Sequence, residues 1–215
     1  MKRLLTTAGA ALAATPALAH HPLGGTEMTT FAHGLLSGVG HPVLGFDHLF
    51  FVALVGIVAA FAGRAFTGPL AYLAAMLAGV LLTTFGPALP LTEAVIAVSL
   101  LGLGAVALSG RAPSAPVAMA LFAGFGLFHG AAFGGAMASA EAGAMGAVLP
   151  GYLLGLLAVQ YAIAVGAGLA LRRLASAAAA TALEPRLAGA VVAGVGLFLT
   201  LETAEGAIFG ALGWG

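Results

Sequence analysis

The sequence predicts an all-α, polytopic membrane protein, a bundle of six transmembrane helices after a cleavable signal peptide. Three observations carry this. Of 215 residues, 61% are hydrophobic and only 7% charged, whereas a soluble domain carries roughly 25% charged residues. Mean hydropathy is +1.12, so no water-facing surface can be assembled from this composition. The apolar residues fall in runs long enough to cross a bilayer, roughly 20 residues each, separated by short breaks rich in Gly, Pro or Arg. The chain has no cysteine, which excludes disulfides, thiolate metal sites and cysteine nucleophiles. Zero net charge and no basic tract argue against nucleic acid as a partner.

The amino end reads as a signal peptide over 1–19. Met1-Lys2-Arg3 is a positive region, Leu4 to Pro16 is mostly apolar, and Ala17-Leu18-Ala19 is an A-x-A cleavage site. Cleavage would expose His20-His21-Pro22 as the new terminus, where a free amine beside two imidazoles can capture a metal ion. The competing reading is a terminus with two incidental histidines. Residues 20–40 are Gly-rich and mildly polar and are expected to form a periplasmic tail. Within it, His33 reads as an interfacial residue.

The transmembrane domain is expected over 41–215. Its first span runs from about Pro42, since proline suits the first turn of a helix, to Gly63. The second covers Pro69 to Phe85 and stops at Gly86-Pro87. The third, fourth, fifth and sixth cover about Leu91 to Leu108, Pro116 to Gly135, Leu149 to Leu171 and Leu187 to Leu212. Ala175 to Ala182 is a helix-prone linker. With the tail outside, Arg64, Arg111, Arg172, Arg173 and Arg186 all fall in loops on the cytoplasmic side, as the positive-inside rule requires. Both mature termini are then periplasmic, and the protein sits in a bacterial inner membrane. Gly126-x-x-x-Gly130-x-x-x-Gly134 and Gly151-x-x-x-Gly155 are small-residue faces that let helices approach closely. Tyr152, Gln160 and Tyr161 read as hydrogen-bonders between helices.

The chemistry concentrates in His41-Pro42-Val43-Leu44-Gly45-Phe46-Asp47-His48. This stretch sets two histidines and the chain's only aspartate at the mouth of an apolar span, where ionisable groups are costly and mark function by default. A carboxylate and imidazoles are ligands for a divalent first-row metal. In an unbroken helix His41 and His48 would lie about 10 Å apart along the axis, too far for one ion. Gly45 therefore has to break the helix and fold His41 back toward Asp47 and His48. Non-helical backbone is tolerated at membrane depth where protein covers it. His129 in the fourth span, Glu93 at the start of the third, and Glu202 and Glu205 in the sixth all fall in the outer half of the bundle, which makes them candidate members of the site or its pathway. The structural alternatives are a carboxylate bonded near a helix start for Asp47, a core hydrogen-bonder for His129, and packing or proton-carrying roles for the glutamates.

His41-Pro42-x-x-Gly45-x-Asp47-His48-Leu49 followed by Ala53-x-Val55-Gly56 resembles the signature of the HupE/UreJ family of nickel permeases, and Phe128-His129-Gly130 resembles that family's second histidine motif. The resemblance covers essentially the whole mature chain. It implies uptake of nickel(II), or in some members cobalt(II), for hydrogenase or urease maturation. It also implies metal recognition by His41, Asp47, His48 and His129. Two positions depart from the family pattern. Phe133 stands where a second histidine often follows His129, and Gln160 stands where the fifth span often carries one. Fewer imidazoles leave the choice of metal open.

The function expected is transport, not catalysis, with a metal ion and the lipid bilayer as partners and no permanent cofactor. The alternatives are a cobalt permease of the same fold, a haem carrier with His48 and His129 on either side of the iron, an intramembrane metalloenzyme, and a structural assembly subunit. The enzyme alternative lacks an H-E-x-x-H or comparable motif.

Overall fold

The computed structural model describes residues 27–137, 142–173 and 177–213. The expected signal peptide over 1–19, and with it His20 and His21, lies outside the described residues. Seven α-helices make up the described chain: α1 (Phe31–Leu44), α2 (Phe46–Phe61), α3 (Gly68–Phe85), α4 (Thr92–Leu108), α5 (Ala115–Met137), α6 (Met145–Arg173) and α7 (Leu183–Leu212), with a 3₁₀ turn at Ala142–Ala144 before α6. There is no strand among the described residues.

α1 takes up residues 31–40 of the expected tail. Thr30 caps it by accepting a hydrogen bond from the His33 amide at 3.1 Å. Gly34, Ser37 and Gly38 recur at helical spacing and are buried. Small residues look loop-like in composition, but here they form a packing face. A Cβ at Gly34 or Gly38 would collide with the carbonyls of Val148 or Tyr152 on α6, and α6 reciprocates with Gly151 against Phe31 and Gly155 against Leu35.

Pro42 is correspondingly not in the first turn of a span. It lies inside the end of α1, where its missing N–H removes a hydrogen bond from the preceding turn. Three residues on, Gly45 leaves the helical region with φ −81° and ψ 97°, and α1 and α2 meet at a bend of 82°. The break anticipated at Gly45 is therefore present.

α2 is the hub. It touches each of the other six described helices, and Phe51, Val52, Leu54, Val55 and Ala59 are wholly buried. Around it the remaining helices pair tightly: α1 with α6, α3 with α5, and α4 with α7. The α3–α5 seam is the Gly126/Gly130/Gly134 face. A Cβ on Gly130 would overlap the Met76 carbonyl, and one on Gly79 of α3 would overlap the Leu127 carbonyl of α5. Gly56 makes the equivalent approach to Ala164 on α6. In a lipid-like setting such close backbone contact supplies the dispersion energy that hydrophobic exclusion cannot. The outward surface is apolar, with Phe46, Phe85, Leu91 and Phe198 each more than 60% exposed.

Four helices, α3, α5, α6 and α7, are long and apolar enough to cross a membrane, and the bent α1–α2 pair makes a fifth if it counts as one span. α4 has 17 residues, about 25 Å of rise, and falls short of that length. At the opposite end from the bend, Arg172 donates from Nη1 to the Ala60 carbonyl at 3.1 Å and Arg186 donates from Nε to the Leu108 carbonyl at 3.1 Å. Each satisfies a carbonyl in the last turn of a helix. The linker after α6 is described from Ala177 and runs through turns to Ala182 rather than a helix.

Because Gly130 meets backbone rather than a flexible side chain, Gly130→Ala should cost about 1–3 kcal/mol of stability through overpacking. Gly124→Ala, on the same helix with open space around it, should stay within about 0.5 kcal/mol of the parent. Unfolding of both variants in detergent, followed by circular dichroism, checks the contrast.

Candidate metal site

The 82° bend places the last turn of α1 beside the first turn of α2. His41 and His48 are brought to a ring-centroid separation of 6.0 Å, as the folded-back entrance requires. Gly45 leaves the space they occupy. A Cβ there would come within 3.0 Å of the His48 ring and 3.2 Å of an Asp47 oxygen. Asp47 is half-buried in the first turn of α2, where the helix dipole favours a negative charge. Its Oδ2 lies 3.8 Å from His48 Nε2.

His129 completes the group from α5. It is wholly buried, and its Nδ1 is 2.8 Å from His48 Nδ1. The two predicted residues, 81 positions apart, thus touch directly. Aromatic walls hold them. Phe51 stacks on the His129 ring at 4.1 Å and 17°. Phe133, the position that departs from the family pattern, lies 4.3 Å from the His48 ring and 5.1 Å from that of His41. Phe133 is thus a packing ring shared by the two imidazoles. Tyr152 ties α6 in, donating to the Phe133 carbonyl at 2.9 Å and lying 3.2 Å from His41 Nδ1.

His41, Asp47, His48 and His129 accordingly form one contiguous polar cluster. They do not form a ready-made ligand set, since no three His, Asp or Glu side chains converge as metal ligands among the described residues. The geometry shows why. His129 turns one nitrogen to His48 and the other to Ser99 Oγ at 2.9 Å, and His41 turns Nδ1 to Tyr152.

The glutamates sit elsewhere. Glu202 and Glu205 are exposed on α7, whose residues 201–212 are all exposed. They are not the buried groups that their depth suggested. Glu93 is exposed and lines an open cavity of about 480 Å³ with Thr83, Thr92, Ala131 and Ala132. The last two are on α5, just past His129. Two of the three expected hydrogen-bonders bridge helices: besides Tyr152, Gln160 Oε1 accepts from Tyr72 within the core. Tyr161 instead reaches the Phe66 carbonyl, in the loop between α2 and α3, at 3.4 Å.

Ser99 and Tyr72 were not singled out by the motifs. A hydroxyl in the middle of an otherwise apolar α4 was the available signal for Ser99. Tyr72 sits in an apolar run where it is indistinguishable from a packing aromatic.

The family model described as "HupE / UreJ protein" matches residues 8–199. A curated relative, Protein HupE of Rhizobium leguminosarum bv. viciae, is 34% identical over 199 residues, which is 91% of this chain and 96% of the relative. No solved structure matches. With matches of this extent to both the family model and a full-length relative, the chain belongs to the HupE/UreJ family.

Proposed function

We propose that this protein is a permease that carries a divalent transition-metal ion, nickel(II) with cobalt(II) as the close alternative, from periplasm to cytoplasm for hydrogenase or urease maturation. The observation that carries the reading is the broken helix at Gly45. It folds His41 back to a ring-centroid distance of 6.0 Å from His48, whose Nε2 lies 3.8 Å from Oδ2 of the neighbouring carboxylate, Asp47. Family membership supports a transport role over an enzymatic one.

The chemistry suits a substrate that must be released. Oxygen and imidazole donors replace part of a hydration shell without the near-irreversible grip of thiolates, and conduction needs binding weak enough to leave. A divalent cation gains about 4.6 kcal/mol per 100 mV on moving to an inside-negative cytoplasm, so the potential alone can drive uptake. In this reading six spans, counting α4 as one, place the cluster toward the periplasm and the arginines toward the cytoplasm. His20 and His21 collect the ion ahead of the cluster. The largely apolar cavity beside Glu93 offers an approach on the same side.

The haem alternative needs an iron and a macrocycle between His48 and His129. Their Nδ1 atoms are 2.8 Å apart, so the two rings would have to separate to take iron between these atoms.

Uptake of radiolabelled nickel and cobalt into cells lacking other importers, with and without an uncoupler, tests the reading. Asp47→Ala and His48→Ala should each abolish accumulation at unchanged protein level. Wild-type uptake in both would refute the site. The paired substitution Glu202→Gln with Glu205→Gln, on the exposed end of α7, should retain at least about half of parental uptake, because surface changes remote from a site perturb little. Loss of uptake there would return these residues to the pathway.

A further inference from the structure

Four polar groups from α4, α5 and α2 stand in series behind Asp47. Ser99 Oγ is 2.7 Å from the Ile96 carbonyl oxygen and 2.9 Å from His129 Nε2. His129 Nδ1 is 2.8 Å from His48 Nδ1. Ser99 and His129 are wholly buried and His48 is 5% exposed. Each of these three separations is a hydrogen-bond distance and needs one hydrogen between its atoms.

For two neutral rings, only one arrangement supplies all three hydrogens. A carbonyl has none to give, so the Ser99 hydroxyl donates to Ile96 and its single hydrogen is used. The contact with His129 must then be filled by His129 Nε2–H. A neutral imidazole carries one N–H, so His129 Nδ1 is a lone pair and accepts from His48 Nδ1–H. That uses the one hydrogen of His48 and puts a lone pair on its Nε2. Nε2 is the atom 3.8 Å from the Asp47 carboxylate.

We propose that Ser99 is a positioning residue that sets, through His129, which nitrogen of His48 carries the proton, so that Nε2 faces the Asp47 side as an electron-pair donor. His129 then holds His48 in place and does not ligate, because both of its nitrogens are engaged. The tautomer assignment rests on the hydrogen bonds alone, while its use for a cation rests on the metal reading above. A partner on the second ring nitrogen is how proteins fix the tautomer and orientation of a metal-binding histidine. Here that role falls to a second imidazole, itself aligned by a serine.

The test is ¹⁵N NMR of the full chain, labelled at histidine, in lipid nanodiscs without metal. His129 should appear as the Nε2–H tautomer and His48 as the Nδ1–H tautomer. Ser99→Ala should move His48 toward a mixture containing Nε2–H and weaken nickel binding by roughly ten- to a hundredfold. Ser99→Thr, which keeps the hydroxyl, should restore both. A wild-type His48 protonated at Nε2, or at both nitrogens, overturns the proposal without recourse to any variant. So does a Ser99→Ala protein whose tautomers are unchanged, even if its affinity falls, since that loss would be structural. Expected tautomers that shift in Ser99→Ala, in a wild-type protein that binds neither nickel nor cobalt, would leave the positioning role standing and sink the metal reading.

Discussion

The turn of the chain between α1 and α2 is the constraint on which the remaining architecture depends. A helix cannot set residues seven apart on the same few ångströms of its axis. His41 and His48 approach each other only because Pro42 removes one hydrogen bond and Gly45 abandons the helical region three residues later. Such a break inside an apolar bundle exposes backbone groups that need cover. Much of the cover comes from α6, whose Tyr152 reaches both His41 and the Phe133 carbonyl. The break thus creates the polar cluster and obliges a neighbouring helix to close over it.

The second half of the site is delivered by packing. His129 reaches His48 because α5 lies against α3 at backbone contact along the glycine seam and both helices touch α2. α2 is buried over most of its length, so the position of each surrounding helix is fixed against one shared rod. Phe51 and Phe133, one from α2 and one from α5, press on opposite members of the histidine pair. The cluster is therefore polar at its nitrogens and apolar on its ring faces, a setting in which hydrogen bonds are strong and errors in proton placement are costly.

Much of this was legible in the sequence, and the gaps have a common cause. Hydropathy and arginine placement give the height of a residue along the bilayer, and Gly and Pro mark breaks and close contacts. The Gly45 break and the glycine seams followed from those signals, and the bridging roles of Tyr152 and Gln160 from their being polar in an apolar span. Height says nothing about azimuth. Glu202 and Glu205 sit on the end of α7 that is exposed all round, and an apolar helix does not show in its sequence where its neighbours stop. The same blindness hid Ser99, whose inward direction only the packing of α4 reveals. α1 was missed for a different reason, since a run such as Gly34, Ser37 and Gly38 has the composition of a loop and the spacing of a packing face. The expected six spans meet a 17-residue α4, because a short apolar helix and a spanning one differ only in length.

The arginine contacts at the far end have a separate implication. Arg172 and Arg186 hold carbonyls in the last turns of α2 and α4, and they also belong to the basic set from which the proposed topology is read. Under the proposed topology, the charges that orient the chain in the bilayer are the same side chains that stitch the finished bundle shut. Evolution cannot redraw one without disturbing the other, so an inverted sibling of this fold would need new clasps for its helix ends as well as a new charge pattern.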